Sequence, residues 1–143
     1  MQDRVTTSWS DSPAAPRALA TEPVRTLIVD DDMGAADSLE LMLHRSGYSE
    51  TRVAYSGHAA LAIAAEFQPD VALLDLSLLD MSSYELAQSL RERAQSRLLH
   101  LIALTSSREH TAREQARVAG FERYLLKPIA SPDLSALMAT QFR

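Results

Sequence analysis

The chain has 143 residues, of which 46% are hydrophobic and 23% charged, and it carries a net charge of −5. That length and balance suit one globular domain and exclude a collagenous or wholly disordered chain; no apolar run approaches bilayer length, and an acidic excess is a poor generic binder of nucleic acid. With no cysteine, disulfides, thiolate zinc sites, iron–sulfur clusters and thiol catalysis are excluded as well.

In chain order, residues 1–23 read as a tail. They are rich in Ser, Thr, Ala and Pro and lack apolar periodicity. The start, Met1 to Trp9, has no apolar core of the secretory kind, so a cytoplasmic location is expected. The lone Trp9 reads as an exposed residue of that tail or as a docking anchor. Residues 24–143 are expected to form the domain.

Leu27-Ile28-Val29 is the first short apolar run, and it ends in Asp30-Asp31-Asp32. A helix with Ala35, Leu39, Met42 and Leu43 on one face follows, and Gly47 stops it. Thr51 to Tyr55 reads as a mixed edge strand. Ser56 caps a helix carrying Ala60, Leu61, Ala64 and Phe67, which halts before Pro69. Val71 to Leu74 is a second buried run and ends in Asp75. Ser82-Ser83-Tyr84-Glu85 is a capping box leading to Leu86 and Leu90. Leu98 to Leu104 is the next run, closing in Thr105-Ser106. A polar, Arg-rich helix over 109–119 ends at Gly120. Arg123 to Leu126 is a second edge strand, followed by Lys127-Pro128. Ser131-Pro132 reads as N-cap and first residue of a last helix with Leu134, Leu137 and Met138. Continuous apolar runs alternating with helices predict an α/β, doubly wound five-stranded parallel sheet, whose ligands sit beyond the carboxyl ends of the strands.

That rule gathers the chemistry. Asp30, Asp31, Asp32, Asp75, Thr105 and Lys127 all stand at strand ends along one predicted edge. Thirteen of the fourteen basic residues are Arg, and the single Lys is Lys127; a site that needs a point-charge ammonium rather than a planar fork explains the exception. Converging carboxylates repel, and they stay ionised only with a cation among them. Oxygen ligands without Cys or His suit Mg²⁺ before Zn²⁺. A divalent cation, an ammonium and a hydroxyl together form a receptor for a phosphoryl group. One carboxylate is then the nucleophile. Asp75 stands alone on the central strand, whereas Asp30 and Asp31 are adjacent and better placed as metal ligands, so an aspartyl phosphate on Asp75 is the expected product.

The motifs Leu27-Ile28-Val29-Asp30-Asp31-Asp32, Asp70 through Leu76, Ala103-Leu104-Thr105 and Leu126-Lys127-Pro128 resemble a response-regulator receiver domain of two-component signalling. The intervals of 44 residues from Asp31 to Asp75, 30 to Thr105 and 22 to Lys127 fit that family. The resemblance covers residues 24–140 and implies a flavodoxin-like (βα)5 fold with strand order 2-1-3-4-5. It implies Asp75 as phosphoacceptor, with Asp30, Asp31, Asp75 and the Ser77 carbonyl around Mg²⁺. Lys127 would bind phosphate and precede a proline that is often cis; Thr105 would be the switch hydroxyl and Tyr124 the switch aromatic. A sensor histidine kinase or phosphotransfer protein is the implied partner, with no nucleic acid and no membrane. Output is expected through the fourth and fifth helices and fifth strand. Ala119-Gly120-Phe121 is similar in style to receivers of hybrid histidine kinases. With little chain after Lys127, a stand-alone regulator or a receiver detached from a larger kinase is expected.

Two positions depart from the family pattern. Leu79 stands where a proline is usual and Ser83 where a glycine is usual, so the loop over 76–82 is expected to differ in shape, and Ser83 is strained if that position has positive φ. These departures leave room for a phosphorylation-independent interaction module. An aspartyl-nucleophile phosphatase is the other alternative, but it would need a second acid two residues after Asp75, where Ser77 stands. His44, His58, His100 and His110 show no metal spacing and read as solvated or strand-edge residues.

Overall fold

The computed structural model describes residues 23–95, 97–107 and 109–142. Five strands alternate with five helices: β1 (Thr26–Val29), α1 (Met33–Arg45), β2 (Thr51–Ala54), α2 (Gly57–Phe67), β3 (Val71–Asp75), α3 (Ser83–Ala94), β4 (His100–Thr105), α4 (His110–Val118), β5 (Arg123–Leu126) and α5 (Ser131–Phe142). All strand pairs are parallel, in the order β2-β1-β3-β4-β5. The expected sheet and strand order are therefore present.

The alternation of side chains along each strand builds two cores. Leu27, Val29, Ala72, Leu74, Leu101 and Ala103 meet Ala60 of α2, Leu86, Ala87 and Leu90 of α3 and Ala116 of α4. Ile28, Val71, Leu73, Ile102 and Leu104 meet Ala36, Leu39 and Leu43 of α1 and Leu134, Leu137 and Met138 of α5. β1 and β3 are buried along their whole length, which is why Leu27–Val29 and Val71–Leu74 are unbroken apolar runs. The edge strands β2 and β5 are mixed in burial, as in sequence.

The caps follow the sequence closely. Asp32 accepts from the Ala35 N–H, Ser56 from the Ala59 N–H, and Ser82 from the Tyr84 and Glu85 N–H groups. Gly47 and Gly120 take φ of 95° and 103°, which a β-carbon would disfavour. Local expectations move by a residue or two at three places. Ala36 rather than Ala35 is the buried alanine of α1. β4 begins at His100, and Leu98 is exposed. In α5 the Ala130 carbonyl accepts from Asp133 and Leu134, so Ser131 lies inside the first turn and is not the cap.

Candidate acidic site

The register fixes where the strand ends fall. Val29 pairs with Leu74, Asp75 with Leu104, and Thr105 with Leu126. Asp30, Asp75, Thr105 and Lys127 consequently emerge side by side at the carboxyl edge of four adjacent strands. The α1 cap then leaves Asp31 between Asp30 and the helix.

One carboxylate oxygen each of Asp30, Asp31 and Asp75 lies within 4.8 Å of the others. Asp30 is fully buried, Asp75 almost so, and Asp31 half-buried. Lys127 Nζ bridges two of them, 2.9 Å from Asp30 Oδ2 and 3.3 Å from Asp75 Oδ1. Backbone donors complete the set. The Asp32 N–H donates to Asp30 Oδ1 at 3.0 Å, the Ser77 N–H to Asp75 Oδ1 at 3.1 Å, and the Leu79 N–H to Asp31 Oδ2 at 3.1 Å.

Burial pushes the Asp75 carboxyl above the usual carboxylate range, and the charge on Asp30 adds to that; the Ser77 N–H and Lys127 pull the other way without cancelling it. Burial works against the Lys127 ammonium, yet Asp30 and Asp75 outweigh it and hold its pKa above the ordinary lysine value. Three carboxylates therefore share one resident cation. The surplus negative charge and all-oxygen donor set fit a hard divalent ion of the Mg²⁺ kind.

Thr105 is buried at the end of β4, where its Oγ1 accepts from the Ser107 N–H at 3.0 Å. Tyr124 faces outward, and Arg113 Nη1 donates to its hydroxyl at 2.7 Å while the guanidinium lies over the ring. Lys127-Pro128 is a cis peptide. The side chain of Ser77 is exposed beside the pocket.

Ser83 overturns the expectation of strain. It opens α3, is not among the positive-φ residues, and its buried hydroxyl donates to the Asp75 carbonyl oxygen. A serine there adds a bond that a glycine lacks. Leu79 is 90% exposed. Its N–H, which a proline would not have, donates to Asp31 Oδ2. Asp80 accepts from the Gly57 and His58 N–H groups at the start of α2. None of these three was legible: the partners of Leu79 and Asp80 are far along the chain, and that of Ser83 is a backbone carbonyl.

The histidines are engaged more than expected. His44 Nε2 is 2.8 Å from Thr51 Oγ1, His58 Nδ1 is 2.6 Å from Asp80 Oδ2, and His100 Nδ1 is 2.7 Å from Glu122 Oε1. The expectations for the tail, Trp9 included, fall on residues 1–22, outside the described residues. No helix among the described residues is long and apolar enough to cross a membrane.

The family model of the response regulator receiver domain matches residues 26–139. Response regulator MprA of Mycolicibacterium vanbaalenii is 34% identical over 121 residues, which is 85% of this chain and 51% of that protein. MprA of Mycobacterium tuberculosis is 33% identical over 120 residues, 84% of this chain and 51% of that protein. The chain thus spans about half the length of the curated relatives it matches. Among solved structures, a CheY-like response regulator receiver domain protein from Methanospirillum hungatei superposes with a TM-score of 0.75 at 27% identity, covering 85% of this chain and 94% of that one. A response regulator receiver domain from Bermanella marisrubri gives 0.73 at 26% identity, covering 83% and 98%.

Proposed function

The chain belongs to the response regulator receiver domain family, and from that premise we propose that Asp75 is the residue that takes the phosphoryl group. The domain is a two-component receiver, a phosphoacceptor rather than a catalytic enzyme. Its membership implies a histidine kinase as partner. The donor is then a phosphohistidine, on the kinase itself or on a phosphotransfer protein, met in the cytoplasm.

The observation that carries the choice of Asp75 is the bridge made by Lys127. Its ammonium touches Asp75 Oδ1 and Asp30 Oδ2, yet Asp75 is the last residue of the central strand, whereas Asp30 lies past the end of β1. In the transfer, an Asp75 carboxylate oxygen attacks phosphorus. The P–N bond breaks, the imidazole leaves with the electron pair and takes up a proton, and an acyl phosphate remains on Asp75. Mg²⁺, when bound by Asp30, Asp31, Asp75 and the Ser77 carbonyl, supplies positive charge to the phosphoryl oxygens. Asp30, Asp31 and Asp75 would hold the ion only weakly without phosphate, because Mg²⁺ retains several waters.

Lys127 keeps a point charge in reach of a carboxylate before transfer and a phosphoryl oxygen after it. Thr105 gives up the Ser107 N–H and donates its hydroxyl to another phosphoryl oxygen. The loop after β4 is drawn inward, and Tyr124 leaves Arg113 to repack. The rearranged face of α4, β5 and α5 meets the downstream protein.

The test is intact mass after incubation with acetyl phosphate and Mg²⁺. One phosphoryl mass on the wild type and none on Asp75→Asn is the expected result. An unchanged signal in Asp75→Asn overturns the assignment. No incorporation in either would instead mark an interaction module that works without phosphate.

A further inference from the structure

The connection between β3 and α3 is anchored twice at its tip, at neighbouring residues. On one side, the Leu79 N–H donates to Asp31 Oδ2 at 3.1 Å. On the other, Asp80 accepts from the Gly57 N–H at 2.9 Å, the His58 N–H at 3.0 Å and His58 Nδ1 at 2.6 Å. Gly57 and His58 open α2, so their N–H groups have no partner within the helix and point at the carboxylate. Those two amides hold the Asp80 carboxyl down at about 2. Met81 lies directly over Gly57, so close that a β-carbon there would come within 2.4 Å of Met81 Cγ and Sδ. The tip is thus seated on α2.

The Leu79 side chain gives its own peptide no purchase, being 90% exposed. Leu78 and Met81 on either side pack against the core, and Asp80 between them adds the polar hold on α2. We propose that Asp80 is a positioning residue for the cation site: by fixing the loop tip on α2, it holds the Leu79 N–H on Asp31 Oδ2 and sets the plane of the Asp31 carboxylate. A carboxylate offers about four lone-pair positions, so one N–H orients the group and leaves the rest open to a cation. Ordering the ligand beforehand removes part of the cost of binding. The proposal rests on the reading of Asp31 as a metal ligand.

The experiment is Mg²⁺ titration of the full ¹⁵N-labelled chain, followed by amide shifts, with Tm measured alongside. Loss of an outer partner costs metal affinity roughly tenfold at the low end, so Asp80→Ala and Leu79→Pro should each raise Kd by about that factor. Because both act through the same N–H, the double variant should bind no more weakly than either single one. Asp80→Asn, which keeps one acceptor oxygen for the α2 amides, should fall between wild type and Asp80→Ala, and it serves where Leu79→Pro does not fold. An Asp80→Ala chain with lowered Tm and wild-type Kd overturns the proposal, as do multiplying effects in the double variant. Asp31→Asn separates the two readings. If it binds as wild type, the cation site falls and the proposal with it. If it binds weakly while Asp80→Ala binds normally, the proposal alone falls.

Discussion

The acidic pocket is flanked by two connections built in opposite ways. The one from β3 to α3 is pinned: Asp80 grips α2, the Leu79 N–H grips Asp31, Ser83 bonds the Asp75 carbonyl, and Ser82 caps α3 twice. The α3 helix then buries Ser83, Leu86, Ala87 and Leu90. The one from β4 to α4 is held by fewer bonds among the described residues. The Ser107 N–H donates to Thr105 and the Glu109 N–H to Ser107, but Glu109 makes no side-chain cap, and Ala116 is the buried residue of α4. Few buried apolar contacts and exposed hydrogen bonds mark the regions of a protein that open most easily. On the proposed reading the contrast is a division of labour: the pinned wall holds the receiving carboxylates in register, and the helix with fewer buried residues responds.

The largest expected effect removes the signal to which both sides are exposed. Asp75→Asn should abolish phosphorylation and with it every phosphate-dependent change around Thr105 and Tyr124, read by amide shifts. Next, Lys127→Arg should separate the two sides. The planar guanidinium cannot reproduce contacts to both Asp30 and Asp75, so the shift response of β5 and α4 should fall even where phosphoryl mass is gained. A full wild-type response in that variant would make the lone lysine incidental.

Giving the loose side what the pinned side has should sharpen the contrast. Glu109→Ser supplies a side-chain cap of the kind Ser82 gives α3. It should add about 1 kcal/mol of stability, a few degrees in Tm, and reduce the exchange of α4 amides with solvent. If α4 exchanges as before, weak capping is not what makes it loose.

The two best-placed carboxylates should also differ in sign with pH. The folded pKa of Asp80 is depressed to about 2, so its contribution is present at neutral pH and fades as pH falls from the unfolded carboxylate value through about 2. The folded pKa of Asp75 is raised, chiefly by burial, so the fold loses stability as pH climbs from the unfolded value through that raised one. At pH 7 Asp75→Asn should therefore raise Tm and Asp80→Asn lower it, and the Asp75→Asn gain should shrink in acid. Two variants moving Tm the same way would break the comparison. The smallest effect is at the rim. Arg113→Ala removes an exposed hydrogen bond and a ring contact from Tyr124, worth about 1 kcal/mol or less. It should leave phosphoryl mass unchanged while turning the tyrosine ring environment partway toward that of the phosphorylated chain.

Much of this was legible in the sequence, and the reason is geometric. Leu27–Val29 and Val71–Leu74 are buried on both faces of the sheet, which favours unbroken apolar runs, and the first polar residue after each run marks the sheet edge. Asp30 and Asp75 were found that way, Thr105 at the end of the apolar run in β4, and Lys127 as the chain's single lysine. Boundaries that rest on one turn of backbone were less visible. Leu98 looks like strand but faces solvent, and Ser131 looks like a cap but sits inside α5. The pinning of the wall was not visible at all. Asp80 meets residues 22 and 23 positions earlier, and the Leu79 bond belongs to a backbone N–H that almost any residue would carry. Ser83 looked like a misfit because its hydroxyl partner is a carbonyl that the tertiary fold brings to it.

The most direct test of the division of labour is hydrogen exchange on the wild-type chain before and after phosphorylation, with Asp75→Asn treated identically as the blank. Phosphorylation should change exchange across residues 105–127 and leave Gly57, His58, Asp80 and Met81 as they were. Equal changes on both sides of the pocket, or changes confined to the β3–α3 side, would contradict the account.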